Sequence, residues 1–192
     1  LYPELSIHAI VTNRFVQLTE ENIDVAIRIG ALDDSSYVCR RLCTLDLITA
    51  GAPSYLERNG TPKSPAELSK HNCLKLVLDN GIPQKWIFGM NGKATFVSAA
   101  GNFSSDEGDQ ILTAAVAGLG LIQAPDLMLR EEIASGLLVE VLSSHATQGP
   151  PLTLLSAPGR EDLVKVRVFT ALLRDLVTKV RRSPPTPRSR KR

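Results

Sequence analysis

The first apolar run, LSIHAIV at 5–11, alternates incompletely between hydrophobic and polar positions and predicts a short strand. TNR at 12–14 interrupts it. Residues 15–22 then read as a helix, with Val16, Leu18 and the following Ile23 as packing positions. DVAIRIG at 24–30 is almost continuously apolar and predicts a second strand. Strand, helix and strand joined by tight links is the grammar of a mainly parallel sheet. The loop ALDDSS follows, and short strands are predicted over 36–42 and 45–50.

Turn chemistry organises the middle of the chain. Pro53 opens a helix that Asn59 and Gly60 stop. Ser64, Pro65 and Glu67 occupy the N-cap, N1 and N3 positions of a second short helix ending near His71. A strand is predicted over 73–78. Asn91 and Gly92 lie between two apolar stretches and signal a β-hairpin. The polar NFSSD at 102–106 precedes a helix over 107–117, whose packing positions include Ile111, Leu112, Ala115 and Val116. A strand over 121–124, a helix opened by Pro125 and Asp126, and a strand over 137–142 come next. The GPP at 149–151 predicts a turn into a strand over 152–157, and the longest helix covers 163–180. There is no internal repeat.

The GLG at 118–120 invites a nucleotide-binding reading. Its order is wrong for one: a phosphate loop runs from strand through glycines to a helix N-terminus, and here a helix precedes and a strand follows. The glycines are read as a helix C-cap and tight turn. Cys39, Cys43 and Cys73 form no CxxC pair and are read as half-buried free thiols, not as a zinc site or disulfide framework. His8, His71 and His145 are too dispersed for a metal site, and no motif of hydrolases or NTPases is present. The expectation is a protein that is not an enzyme, with no cofactor and no bound metal.

Charge alters the picture only at the C-terminus. RRSPPTPRSRKR carries six basic groups and no acid, so the preceding chain is mildly acidic despite a net charge of +2. The tail, 181–192, is read as basic and disordered. No run approaches the roughly 18 apolar residues of a membrane span, and a cytoplasmic location is expected. The abrupt start at Leu1, without Met, reads as that of a fragment.

Two places offer spare polar groups at a helix beginning. One is Thr12 and Asn13. The other is Asn102, Ser104, Ser105 and Asp106, where one side chain caps the following helix or the turn holds a small anion such as a carboxylate. Residue type alone leaves both readings open.

Taken together, YPEL at 2–5, VQLTEENIDVAIRIGALDDSSYVCRRL at 16–42, APSYLERNGTPKSPAELSKHNCL at 52–74 and AAVAGLGLIQAPD at 114–126 resemble the C-terminal effector-binding domain of LysR-type transcriptional regulators. The resemblance implies an α/β fold of two Rossmann-like lobes joined by two crossing strands, like the type 2 periplasmic binding proteins. Lobe one would comprise 1–46 and 151–180, and lobe two 47–150. It further implies that the chain is N-terminally truncated, lacking the DNA-binding winged helix-turn-helix, its linker helix, and the first strand and most of the first helix of the domain.

By the same resemblance, an effector bound between the lobes would contact Thr12, Asn13, Ile29, Gly30, Asn102, Phe103, Ser104, Ser105, Asp106 and Pro125. Gln123 and Ala124 belong to the strand end before Pro125. The implied partners are a small-molecule effector (a carboxylate or aromatic), a second copy in a homodimer or homotetramer through 15–22 and 108–116, DNA through the missing domain, and RNA polymerase. No membrane is implied. A periplasmic-type solute-binding protein is the alternative.

Overall fold

The computed structural model describes residues 2–30, 36–90 and 92–182. Its strands and helices are Ala26–Ile29 (β1), Val38–Gly51 (β2), Pro53–Asn59 (α1), Lys75–Leu76 (β3), Trp86–Met90 (β4), Lys93–Val97 (β5), Ser104–Ser105 (β6), Gly108–Val116 (α2), Leu121–Pro125 (β7), Asp126–Ala134 (α3), Val139–Val141 (β8), Thr147–Ser156 (β9) and Val164–Arg182 (α4). The chain divides into two units, one of Leu1–Thr44 with Pro150–Arg182 and one containing Leu45–Gly149. β2 carries the chain out of the first unit and β9 carries it back.

In unit one, β1 pairs antiparallel with β9, from Ala26 opposite Leu155 to Ile29 opposite Leu152. A small core of Val16, Leu18, Leu155 and Ala157 packs with Ile23, Ala26 and Tyr37. The strand expected over 5–11 does not form: no ladder among the described residues includes it. An extended segment becomes a strand only when a neighbour takes its backbone hydrogen bonds. The helix expected over 15–22 is also absent. Val16 and Leu18 are buried as the pattern requires, yet the chain makes only a turn. Asn22 adopts φ 53°, and Ile23 N donates to Leu18 O at 2.9 Å. The Glu21 carboxylate accepts from Gln17 N (2.9 Å) and Tyr37 Oη from Leu18 N (3.1 Å), so amides that a helix would use are already engaged.

In unit two, β2 is central. It pairs antiparallel with β7, from Leu47 opposite Pro125 to Gly51 opposite Leu121, and with β8 at Thr49 to Gly51. Being covered on both edges explains why its end is buried where its start is not. Tyr55, Leu68, Trp86, Phe88, Leu121 and Leu129 belong to the core of this unit. β4 and β5 form the hairpin expected around residues 91–92, with Gly92 at φ 74°; Asn91 lies outside the described residues. α1 begins at Pro53 and is followed by Gly60 (φ 80°), as the turn chemistry implies, and α3 is followed by Ser135 and then Gly136 (φ 72°).

Several expectations need correction. The sheet is not mainly parallel: the ladders with recorded register are antiparallel except β3 with β6. The strands over 36–42 and 45–50 are one fourteen-residue strand, because the Leu42–Thr44 stretch contains no residue that breaks extension. The second short helix is a 3-10 turn, Pro65–Lys70, too short to complete α-helical bonding. Ser64 does not cap it with its side chain; instead Glu67 accepts from Lys63 N at 2.9 Å. Pro150 and Pro151 lie inside β9 and do not form a turn. The Pro151 carbonyl accepts from Gly30 N at 2.9 Å.

Gly101 provides a direct test of packing in unit two. A Cβ there would lie 1.9 Å from the Cys73 carbonyl oxygen, a backbone atom that no rotamer change can move. Gly101→Ala should lower the unfolding free energy by about 2–3 kcal/mol, read as a lower urea midpoint of Trp86 fluorescence. An unchanged midpoint would refute this close approach.

Candidate functional site

The GLG turn is built from backbone demands. Gly118 has φ +77°, the left-handed conformation of a helix C-cap. A Cβ on Gly120 would meet the Asn72 carbonyl oxygen at 2.3 Å. Gly118 N donates to Ala115 O, Leu119 N to Ala114 O and Leu121 N to Asn72 O, so these amides are spent inside the fold. Arg58 Nη2 donates to Gly118 O at 2.9 Å. The turn is structural, and it presents a carbonyl to a cation where a phosphate site would present amides to an anion.

Beside it lies a residue that the pattern of the chain did not single out. Asn72 Nδ2 donates to Leu119 O at 2.7 Å, and its Oδ1 accepts from Asn102 N at 2.9 Å. Its backbone N donates to Tyr55 Oη at 2.9 Å. One side-chain amide thus ties the GLG turn to the start of the polar segment 102–106. An asparagine between a turn and a strand carries no sequence signal for such a role; the partners are 30 and 47 positions away.

The 102–106 segment differs from its expected form. Ser104 and Ser105 form β6, parallel to β3, and α2 begins at Gly108 with Glu107 as N-cap and no side-chain cap bond. The expected cap at Ser104, Ser105 or Asp106 is therefore absent. The Ser105 hydroxyl accepts from Glu107 N (3.0 Å) and donates to Gln110 Oε1 (2.9 Å), so it is engaged locally. Ser104, Asn102 and Asp106 are exposed. Phe103 is half-buried against the core of unit two. Pro125 ends β7 and immediately precedes α3. Gln123 is committed to the hairpin: its Oε1 accepts from Ile87 N (2.8 Å) and its Nε2 donates to Ile87 O (2.9 Å).

In unit one, Thr12 and Asn13 are exposed in the bend after the extended segment. Thr12 Oγ1 accepts from Arg14 N at 3.3 Å. Arg28 Nη2 donates to Asn13 O at 3.4 Å, and its guanidinium stacks 4.8 Å from the Phe15 ring centre. Arg28 precedes Ile29, the end of β1, and Gly30 follows at φ 127°. Arg28, next to Ile29 in the chain, thus reaches Asn13 with its side chain. Ala31, Asp33 and Asp34 lie outside the described residues.

The titratable groups of unit two behave as structural members. Burial lowers the pKa of His71, an effect that the nearby Glu67 charge partly offsets. Tyr55 Oη lies 3.2 Å from His71 Nδ1 and accepts from Asn72 N, so it links the imidazole to the backbone. Burial pushes the Cys73 thiol up to about 12, which leaves it unreactive. Cys43 is half-buried, and Cys39 is exposed, not half-buried as its apolar neighbours suggest. Among the described residues, no cluster of His, Cys, Asp and Glu could hold a metal ion.

The class follows from comparison with known proteins: the chain belongs to the LysR substrate binding domain family, which it matches over residues 1–178. This two-unit α/β domain resembles the periplasmic-binding-protein-like LysR substrate domain. More particularly, the chain is 31% identical over 171 residues to YhjC, an uncharacterized HTH-type transcriptional regulator of Escherichia coli K12, covering 88% of this chain and 57% of that protein. Among solved structures it resembles full-length AphB, a Vibrio cholerae virulence activator of the LTTR family, with TM-score 0.73 and 28% identity over 91% of this chain and 59% of that one. CrgA, a LysR-type regulator from Neisseria meningitidis, gives TM-score 0.73 and 25% identity over 83% and 54%. The chain therefore spans little more than half the length of these relatives. Nothing in them favours the solute-binding alternative. No helix among the described residues is long and apolar enough to cross a membrane.

Two outcomes test this scaffold. Asn72→Ala removes the bonds to Asn102 N and Leu119 O, which water can then reach, and should cost about 0.5–1.5 kcal/mol, measurable by urea unfolding. His71 is held neutral by the fold, so the unfolded chain binds more protons in acid and stability falls as pH drops below about 6.5. The urea midpoint should fall between pH 7.5 and 5.5, and that decline should be smaller in His71→Gln. Equal declines in both proteins would remove His71 as the cause.

Proposed function

We propose that this chain is the effector-sensing and oligomerisation domain of a LysR-type transcriptional regulator. The observation that carries the reading is family membership across residues 1–178. One small ligand, a carboxylate or polar aromatic, engages both units. Its partners are Thr12, Asn13, Ile29 and Gly30 from unit one, and Asn102, Phe103, Ser104, Ser105, Asp106 and Pro125 from unit two. The lobes are those of the family, with boundaries near residues 46 and 151, and the tail 181–192 takes no part in the site.

Several features support these assignments. Ser104 is exposed just ahead of α2, a helix whose N-cap, Glu107, makes no side-chain cap bond. Thr12 and Asn13 are exposed beside the end of β1. Ser105 is the weaker candidate, because its hydroxyl is already satisfied.

Ligand binding shifts the population toward one arrangement of the two units. In a homodimer or homotetramer this resets the geometry of DNA-binding domains elsewhere in the protein and with it the half-sites engaged. Residues 15–22 and α2 supply the contacts between copies. The protein works in the cytoplasm, bound to DNA and in reach of RNA polymerase.

A thermal-shift screen of small carboxylates and aromatic acids tests the site. A compound that raises Tm should lose at least tenfold in affinity on Ser104→Ala and on Thr12→Ala, by isothermal titration. A compound whose affinity neither change alters would bind elsewhere, and these assignments would fail.

A further inference from the structure

The loop that carries Thr12 and Asn13 gets little order from regular structure. Residues 12–17 belong to no helix or ladder among the described residues, and Thr12 and Asn13 are exposed. Two side chains from elsewhere in unit one reach this loop. Arg28, in β1, donates from Nη2 to Asn13 O at 3.4 Å and lays its guanidinium 4.8 Å from the centre of the Phe15 ring. The Phe15 ring also stacks with Tyr37, the centroids 6.3 Å apart and the planes inclined by 22°. Tyr37 Oη accepts from Leu18 N at 3.1 Å and donates to Gln17 Oε1 at 3.0 Å. Both holders are themselves fixed: Tyr37 packs on the core of unit one, and Arg28 lies in a strand paired with β9.

We propose that Arg28 is a positioning residue of the effector site: through Asn13 O and the Phe15 ring it holds the Thr12–Asn13 bend in its binding conformation before a ligand arrives. The inference rests on the reading above, in which Thr12 and Asn13 contact the effector. A guanidinium suits both tasks at once, because its flat face covers an aromatic ring while its edge donates a hydrogen bond. An ammonium has no such face, so lysine keeps the charge and loses the arrangement. Phe15 is 43% exposed, and an exposed contact of this kind adds little to global stability. Its consequence is local order. A bend ordered in advance leaves less to be ordered on binding, and affinity rises accordingly.

Backbone ¹⁵N relaxation on the ligand-free chain decides the matter. The order parameters of Thr12, Asn13 and Arg14 should be close to those of rigid backbone, about 0.85, and should fall below about 0.6 in Arg28→Lys, Arg28→Met and Phe15→Leu. Phe15→Tyr keeps the ring and should retain the order. The amides of β7 and the urea midpoint should be unchanged in all four variants, which a general loosening of the fold would not allow. A carboxylate whose affinity Thr12→Ala lowers should also bind Arg28→Lys at least fivefold more weakly, by isothermal titration. The inference is overturned if the bend is already mobile in the unaltered chain, if Arg28→Lys retains its order, or if the urea midpoint falls along with it. It is also overturned if the order is lost and such a carboxylate binds Arg28→Lys as before. Failure of the effector reading looks different: the bend depends on Arg28 as described, but Thr12→Ala leaves the affinity of every carboxylate in the screen unaltered.

Discussion

Backbone meets backbone around Asn72 and Cys73 at a separation that admits no side chain, and unit two is organised by that approach. Glycine is required at 101 and at 120, because a Cβ at either would overlap a carbonyl oxygen of Cys73 or Asn72. The contact is used, not merely tolerated. Cys73 N donates to Ala100 O, and Leu74 N and Leu121 O share a bond of 2.9 Å. Asn72 then spans both flanking segments with its side-chain amide. Each bond is worth little alone, but one side chain and its neighbours share them, so they hold the same stretch of chain together.

This arrangement bears on sensing. The segment containing Asn102 to Asp106 and the strand ending at Pro125 are fixed to the same short stretch of chain. Gln123 adds the β4–β5 hairpin to the assembly through its two bonds to Ile87. A ligand held by these residues would meet a rigid wall whose supports are committed elsewhere. Rigidity of this kind reduces the ordering cost of binding.

Unit one is held differently. Its core is small, and much of its order comes from exposed polar links. Arg14 and Glu21 pair through two bonds, and the hydrogen bond from Arg14 is the main reason the Glu21 carboxyl lies at about 2. Asp24 takes Lys165 at 2.6 Å and Arg160 at 3.2 Å. Exposed pairs of this kind contribute little in water and less in salt. Stability is therefore concentrated in unit two, and local opening is easiest in the part of unit one that lacks a ladder.

The sequence by itself determined the elements whose signals are local. Pro53 and Gly60 bound α1, Ser135 and Gly136 close α3, and the hydrophobic period of 163–180 marks α4, because caps, φ preferences and 3.6-residue periodicity act within a few positions. It also determined that GLG is a turn, since the order of helix and strand decides which end of the dipole is presented. Family motifs distributed along the chain were legible for the same reason. Tertiary structure decided the rest. Residues 5–11 are apolar enough for a strand but join no ladder among the described residues, and 15–22 bury Val16 and Leu18 while Tyr37 and Glu21 take amides a helix needs. Ser105 has the hydroxyl of a cap or a ligand site and spends it on Glu107 and Gln110, and Asn72 matters only because folding brings Leu119 and Asn102 to it. Strand pairing and hydrogen-bond satisfaction depend on residues distant in the chain, and no local pattern can specify them.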